Sequence, residues 1–136
     1  DLHLSLRRQR QMCIRDRIKV VHVAESATVD DDAGTVSRVK EFSGLGHLVT
    51  LDRLVEGFQG GTGQCFDWGV AASLSLAGHP FLLAGGLTPK NVAEAIITIA
   101  PWGVDVSSGV ETDGNKDHGK IRQFLINART AAGKSI

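Results

Sequence analysis

The sequence lacks the features that would indicate a membrane protein, a nucleic-acid-binding protein or a disulfide-rich domain. Its 136 residues carry no net formal charge and include only two cysteines. Cys13 and Cys65 show no metal-ligand spacing and have no histidine cluster as a partner, so we expect free thiols and no metal site. No apolar run reaches about 18 residues, the length that a membrane-spanning helix needs, and no signal-peptide pattern is present. We therefore expect a cytoplasmic protein with neither a membrane nor a nucleic-acid partner.

Apolar residues make up 42% of the sequence, which is enough for one domain with a hydrophobic core. Its charge, however, is uneven, because residues 1–17 hold five arginines against two aspartates. A basic start of this kind can be a nucleic-acid-binding arm. It also resembles translated sequencing-adapter read-through, and we favour that interpretation. We therefore predict that residues 1–17 are non-native or disordered and that the fold occupies residues 18–136.

From residue 18 onwards, a strand-like segment is followed by a helix-like segment four times. The predicted strands are residues 18–23, 47–52, 80–84 and 104–107, which are short and rich in apolar or β-branched side chains. Alternation of this kind predicts a parallel sheet joined by right-handed helical crossovers. Between the second strand and the next helix, residues 53–64 form a glycine-rich loop too irregular for either period.

Residues that favour helix starts precede or open each predicted helix. The aspartates at 30–32 can cap the first helix and Asp67 the second, which begins at Trp68. Thr88 is the predicted N-cap of the third helix, with Pro89 at its first position, and Asp117 is the predicted cap of the fourth. Each cap adds support for the four-unit interpretation.

Polar and glycine residues gather where three successive strands end. They are Asp52, the pair Gly85 and Gly86, and the run 107–109. A doubly wound sheet fits four units, but active sites at successive strand ends are typical of a (β/α)8 barrel, where glycine-rich loops bind phosphate. We therefore predict an α/β fold, a partial (β/α)8 barrel of about four βα units. On composition alone, these glycines could equally do no more than end strands.

Four motifs in order give the sequence a resemblance to a known family. They are LD at 51–52, GGTG with FDW at 60–68, LAGGL with a following proline and asparagine at 83–91, and VDVSSGVE at 104–111. The sequence resembles phosphoribosylanthranilate isomerase, from about residue 18 to about residue 128. The resemblance corresponds to strands five to eight, the C-terminal half of that family's barrel.

The resemblance implies a reaction and a set of site residues. The family carries out an Amadori rearrangement in tryptophan biosynthesis, converting N-(5'-phosphoribosyl)anthranilate into 1-(2-carboxyphenylamino)-1-deoxyribulose 5-phosphate without a cofactor. By resemblance, Asp52 is the general acid that protonates the ring oxygen, and Asp105 contacts the sugar hydroxyls. The same resemblance gives the phosphate site as Gly85, Gly86, Ser107, Ser108 and Gly109. It leaves Asp67 and Trp68 as a cap and a packing residue.

The sequence departs from the family pattern at the general base. The family takes this base from a cysteine followed by glycine on the first barrel strand, whereas Cys13 lacks that glycine and lies too near Asp52. We therefore expect an incomplete chain that holds the acid and the phosphate site and has no isomerase activity alone. Two alternatives stay open. One is another phosphate-binding barrel enzyme, such as indole-glycerol-phosphate synthase or thiamine-phosphate synthase. The other is a non-catalytic phosphosugar-binding half barrel that forms a homodimer through its open sheet edges.

Overall fold

The computed structural model describes residues 17–24, 29–54 and 68–133, in which four strands form one parallel sheet. The strands lie side by side in chain order, β1, β2, β3 and β4. Their bounds are Ile18–Ala24, Leu48–Leu54, Phe81–Leu83 and Gly103–Val104. The helices that follow them are α1 at Val29–Gly44, α2 at Trp68–Leu76, α3 at Val92–Ile99 and α4 at His118–Ala131. The predicted four βα units are therefore confirmed.

A short hairpin separates the last strand from the last helix. A 3₁₀ turn at Ser108–Val110 leads into β5, Glu111–Thr112, which pairs antiparallel with β6, Asn115–Lys116. This hairpin was not predicted from the sequence, although an Asp-Gly pair at its tip is a strong signal for one. Asp113 and Gly114 both have positive φ, at 51° and 75°. This is the backbone geometry that a type I′ turn requires at both central positions.

The helices pack on one face of the sheet. Alternate residues of a strand point to opposite faces, and the register aligns Val21, Leu51 and Leu83 across three strands. These residues belong to a single buried cluster, and each helix contributes to it, through Val39, Val70, Val92 and Phe124. On the opposite face of β1, Ile18 and Val20 are 59% and 52% exposed. Helices cover both faces of a doubly wound sheet, so the placement of all four described helices on one face favours the partial barrel.

Two predicted helix starts are wrong by part of a turn. The first helix begins at Val29, so residues 30–32 fall within its first turn instead of preceding it. The third helix has Asn91 as its N-cap instead of Thr88. Pro89 lies in a turn that precedes the helix. By contrast, α2 begins at Trp68 as predicted, although its proposed cap, Asp67, lies outside the described residues.

The strand bounds also differ from those predicted. The second strand continues to Leu54, so Asp52 lies within it instead of at its end. The fourth strand is only two residues long. The Asp105 N–H still donates to the Leu83 carbonyl at 2.8 Å, after which the backbone leaves the sheet. Of the strand predicted at residues 104–107, only Val104 therefore lies in β4.

Candidate phosphosugar site

A cavity of about 200 Å³ opens where β2, β3 and β4 give way to their loops. Ten residues line it, and all seven predicted site residues are among them: Asp52, Gly85, Gly86, Asp105, Ser107, Ser108 and Gly109. The other three are Ala84, Leu87 and Val106. The structure therefore brings together every residue that the resemblance assigned to the site. Their chemical roles remain predictions.

The loop after β3 has a shape that depends on its two glycines and on Asn91. Gly85 and Gly86 have φ values of 80° and 71°, a region that residues with a side chain rarely adopt. The Asn91 carboxamide holds the loop at two points. Its Oδ1 accepts from the Thr88 N–H at 2.7 Å, and its Nδ2 donates to the Gly86 carbonyl at 3.0 Å. Backbone groups of this loop are consequently held in place before any ligand arrives.

The loop after β4 packs directly on the loop after β3. A methyl group placed on Gly109 would overlap the carbonyl oxygen of Leu87, so only glycine fits at this contact. Ser107 and Ser108, by contrast, are exposed. The two loops thus form one continuous wall that presents hydroxyl groups and backbone of low steric bulk. Such a wall can approach an anion closely.

The charged side chains that line the cavity are carboxylates. Asp52 is half-buried and Asp105 is exposed. In the sheet register, the Cα partner of Asp52 is His22 of β1, whose side chain is exposed. Carboxyl groups at this rim can donate or accept a proton, whereas the glycine and serine loops offer hydrogen bonds to an anion. The cavity therefore combines two carboxyl groups with glycine and serine loops in its lining.

The hairpin beside the loop after β4 makes contacts that were not predicted from the sequence. The Lys116 ammonium donates to the Ser107 carbonyl at 3.0 Å and to its Oγ at 3.2 Å. It also forms a salt bridge with Glu111, at 2.6 Å between Nζ and Oε1. Only the unrecognised Asp-Gly hairpin signal could have placed Lys116 near Ser107. Asn91 was likewise noted only as part of a motif.

Asp117, at the end of this hairpin, caps α4 as predicted. Its Oδ1 accepts from the N–H groups of Gly119 and Lys120, at 2.8 and 3.1 Å. Its Oδ2 accepts from the Thr112 hydroxyl at 2.7 Å. The Thr112 hydrogen bond, followed by the Lys120 and Gly119 N–H groups, lowers the pKa of the Asp117 carboxyl below its usual range. These contacts attach the hairpin to the helix.

The remaining predicted features fall into two groups. Cys13, Cys65, Asp67 and residues 55–64 of the glycine-rich loop lie outside the described residues, whereas residues 53 and 54 belong to β2. Trp68 is half-buried and packs against the core cluster, in keeping with a packing residue. Across residues 17–24, 29–54 and 68–133, no group of His, Cys, Asp or Glu has a metal-binding arrangement. In the same part of the chain, no helix is both long and apolar enough to span a membrane.

The solved structures that match this chain are about twice as long as it is. The N-(5'-phosphoribosyl)anthranilate isomerase of Thermotoga maritima is 33% identical with a TM-score of 0.67, over 89% of this chain and 55% of that one. A phosphoribosylanthranilate isomerase in complex with reduced 1-(o-carboxyphenylamino)-1-deoxyribulose 5-phosphate is 29% identical with a TM-score of 0.59. That match covers 89% of this chain and 53% of the other. The chain therefore spans about half the length of these structures.

Sequence relatives agree with the structural matches. The N-(5'-phosphoribosyl)anthranilate isomerase of Roseiflexus sp. (strain RS-1) is 60% identical over 82 residues, which are 60% of this chain and 38% of that protein. The family model described as N-(5'phosphoribosyl)anthranilate (PRA) isomerase matches residues 1–127. Fold, motifs and relatives together show that this chain belongs to the N-(5'-phosphoribosyl)anthranilate isomerase family.

Proposed function

We propose that this chain provides the phosphate site and the general acid of an Amadori rearrangement. The substrate is N-(5'-phosphoribosyl)anthranilate, the product is 1-(2-carboxyphenylamino)-1-deoxyribulose 5-phosphate, and the reaction uses no cofactor and occurs in the cytoplasm. The observation that carries the proposal is the single cavity that all seven predicted site residues line. The ligand named for a solved relative, a reduced deoxyribulose 5-phosphate, supports the same class of substrate.

In this proposal, the phosphate binds between the two loops. Gly85 and Gly86 leave backbone groups uncovered, and Ser107, Ser108 and Gly109 form the facing wall. Backbone N–H groups and serine hydroxyls are donors, and several donors that converge on one point favour an anion. The positive φ values of the glycines aim the backbone in a direction that other residues rarely adopt. Phosphate binding then fixes the distance from the sugar to the carboxyl groups.

The sugar end of the substrate lies near the carboxyl groups of the cavity. Asp52 donates a proton to the furanose ring oxygen as the ring opens, and Asp105 accepts hydrogen bonds from the sugar hydroxyls. Asp52 is a half-buried residue of β2, and it lines the cavity on the same side of the sheet edge as the two loops. Removal of the proton from the adjacent sugar carbon requires a base, which the family resemblance takes from the first half of the barrel.

An activity assay tests the acid. The chain is combined with the N-terminal half of a full-length relative and supplied with freshly made substrate. We expect turnover by the pair, and Asp52→Asn should lower kcat by about 10²- to 10⁴-fold, the usual contribution of a positioned acid or base. Asp113→Asn is the matched control, because it removes a carboxyl from the exposed hairpin tip. An Asp52→Asn pair that keeps full activity would contradict the proposed role.

The chain alone should bind phosphosugars without converting them. Titration with ribose 5-phosphate and with ribose tests this, since only the phosphorylated sugar can use the two loops. Ser108→Ala should weaken binding of ribose 5-phosphate. Ser73→Ala should not, because its hydroxyl bonds to Gly69 within α2, away from the cavity. Turnover by the chain alone that disappears in Asp52→Asn would overturn the expectation that the base lies elsewhere.

A second candidate function is phosphosugar binding by a self-associated half barrel. The exposed side chains of Ile18 and Val20, on the face of β1 opposite the described helices, favour it. Contact between two copies would remove this apolar surface from water, which is favourable. Size-exclusion chromatography at increasing protein concentration distinguishes a monomer from a dimer.

A further inference from the structure

The β5–β6 hairpin returns the chain to the loop that precedes it. Lys116, at the end of β6, reaches Ser107 and makes two hydrogen bonds to it, one to the carbonyl and one to the hydroxyl oxygen. Glu111, on the paired strand, accepts from the same ammonium group. Lys116 and Glu111 are direct partners in the hairpin register. The hairpin therefore sets the position of the ammonium relative to the loop after β4.

The contact with the hydroxyl has a consequence for its hydrogen. A serine hydroxyl has one O–H donor and two acceptor lone pairs, whereas an ammonium can only donate. Because Lys116 donates to Oγ, it occupies a lone pair, and the Ser107 O–H must point towards another acceptor. Ser107 lines the cavity, so that acceptor can be an anion bound there. Lys116 in this way leaves Ser107 ready to donate.

Charge adds to this effect. The ionisable side chains that line the cavity are the carboxyls of Asp52 and Asp105, which repel an anion when ionised. The Lys116 ammonium contacts the loop from outside the cavity and opposes that repulsion. Its side chain is 52% exposed, so water and salt screen the charge, and its effect depends on the close contact with Ser107.

We propose that Lys116 is a positioning residue for the substrate phosphate, because it orients the Ser107 hydroxyl as a donor and holds a positive charge behind it. The proposal rests on the proposed function, which places the phosphate against Ser107. In this proposal the hairpin positions the Lys116 ammonium at the site, in addition to joining β4 to α4.

A double-mutant cycle of Lys116→Met and Ser107→Ala tests the proposal in the 136-residue chain. The probes are inorganic phosphate and ribose 5-phosphate, with Kd measured by titration calorimetry or by NMR. We expect Lys116→Met to raise Kd about tenfold, the scale of one charge-assisted hydrogen bond at a half-exposed site. In the Ser107→Ala background the same change should raise Kd only about threefold, since the hydroxyl that it orients is gone.

Two further variants separate positioning from stability. Lys116→Arg keeps the charge and the N–H donors, so it should bind phosphate within about threefold of the wild type. Lys120→Met removes the other lysine that bonds to this hairpin, through the Glu111 carbonyl. It should change the unfolding midpoint to the same extent as Lys116→Met while leaving Kd unchanged.

The outcomes distinguish this proposal from the proposed function. If the wild type binds neither probe, both are wrong. If the wild type binds and Lys116→Met stays within twofold of it, only the role of Lys116 is wrong. A full tenfold effect that persists in the Ser107→Ala background would also overturn the proposal, because it would show a general charge effect that does not act through Ser107.

Discussion

The sequence predicted those site residues whose chemical properties follow from the residue type alone. Asp52, Asp105 and the glycine and serine loop residues were identified from motifs, and the structure brings them to one cavity. Lys116 and Asn91 were missed because each acts through a contact that depends on how the chain turns. Asp117 lies between these cases. An aspartate before an apolar helical stripe is a local signal, and its capping bonds confirm it.

The carboxyl of Asp117 should make stability depend on pH. Its pKa is lowered in the folded chain, so its ionised form contributes stability above the pKa of the unfolded state, about 4 for an aspartate. That contribution is lost as the pH falls through the lower folded pKa. Asp117→Asn keeps a capping oxygen but cannot ionise. We expect the difference in urea midpoint between wild type and Asp117→Asn to be present at pH 7 and to shrink below about pH 4.

A second variant separates the causes of this shift. Thr112→Val removes the hydrogen bond that lowers the Asp117 pKa most. The pH-dependent part of the stability should be smaller in this variant than in the wild type. Parallel pH profiles for wild type and Asp117→Asn would show that the cap gains nothing from ionisation.

At the scale of elements, the alternation of strands and helices was predictable and their ends were not. Apolar periodicity gave four βα units, because burial repeats along each element. The predicted start of α3 was too early, because residues 89–91 form a turn and the helix begins at Val92. The last strand was too long in the prediction because Asp105 makes a single further ladder bond before the chain turns away. Both errors arise at the site, where loop contacts override local preference.

Asn91 should couple the stability of α3 to the shape of the loop after β3. Asn91→Ala removes two hydrogen bonds, each worth about 0.5–1.5 kcal/mol, so the free energy of unfolding should fall by about 1–3 kcal/mol. Without these bonds the loop is no longer held before ligand binding, and we expect phosphate affinity to fall as well. Chemical denaturation and phosphate titration measure the two effects.

The matched control is Asn115→Ala on the exposed hairpin. Its carboxamide donates to the nearby Asp113 carbonyl and does not contact the phosphate loops. This variant should leave phosphate affinity unchanged. An Asn91→Ala chain with normal phosphate affinity would show that the loop after β3 keeps its shape without the Asn91 side chain.

At the scale of the whole molecule, the described helices pack on one face of the sheet, and β1 exposes apolar side chains on its other face. The sequence indicated a partial barrel from the three successive strand ends, but periodicity cannot reveal on which face the helices pack. The register and the exposure of β1 show it, since Val21 is buried while Val20 is about half exposed. A face of this kind favours association with another surface.

Val20 should therefore affect self-association. We expect wild-type chain to elute at a larger apparent size as its concentration rises, and Val20→Glu to reduce this shift, because a carboxylate is costly to bury. Leu76→Glu is the matched control, since Leu76 is 90% exposed at the end of α2 on the helix side. If both variants elute like the wild type at every concentration, β1 is not part of a contact surface.

The contact between Gly109 and Leu87 makes the two loops mechanically one unit. Because no side chain separates them, a displacement of the loop after β4 must be followed by the loop after β3. The same two loops are tied at their outer ends to α3 by Asn91 and to the hairpin by Lys116. A ligand bound between the two loops would therefore restrain both flanking βα units. The conformational order of these units would rise with the occupancy of the cavity.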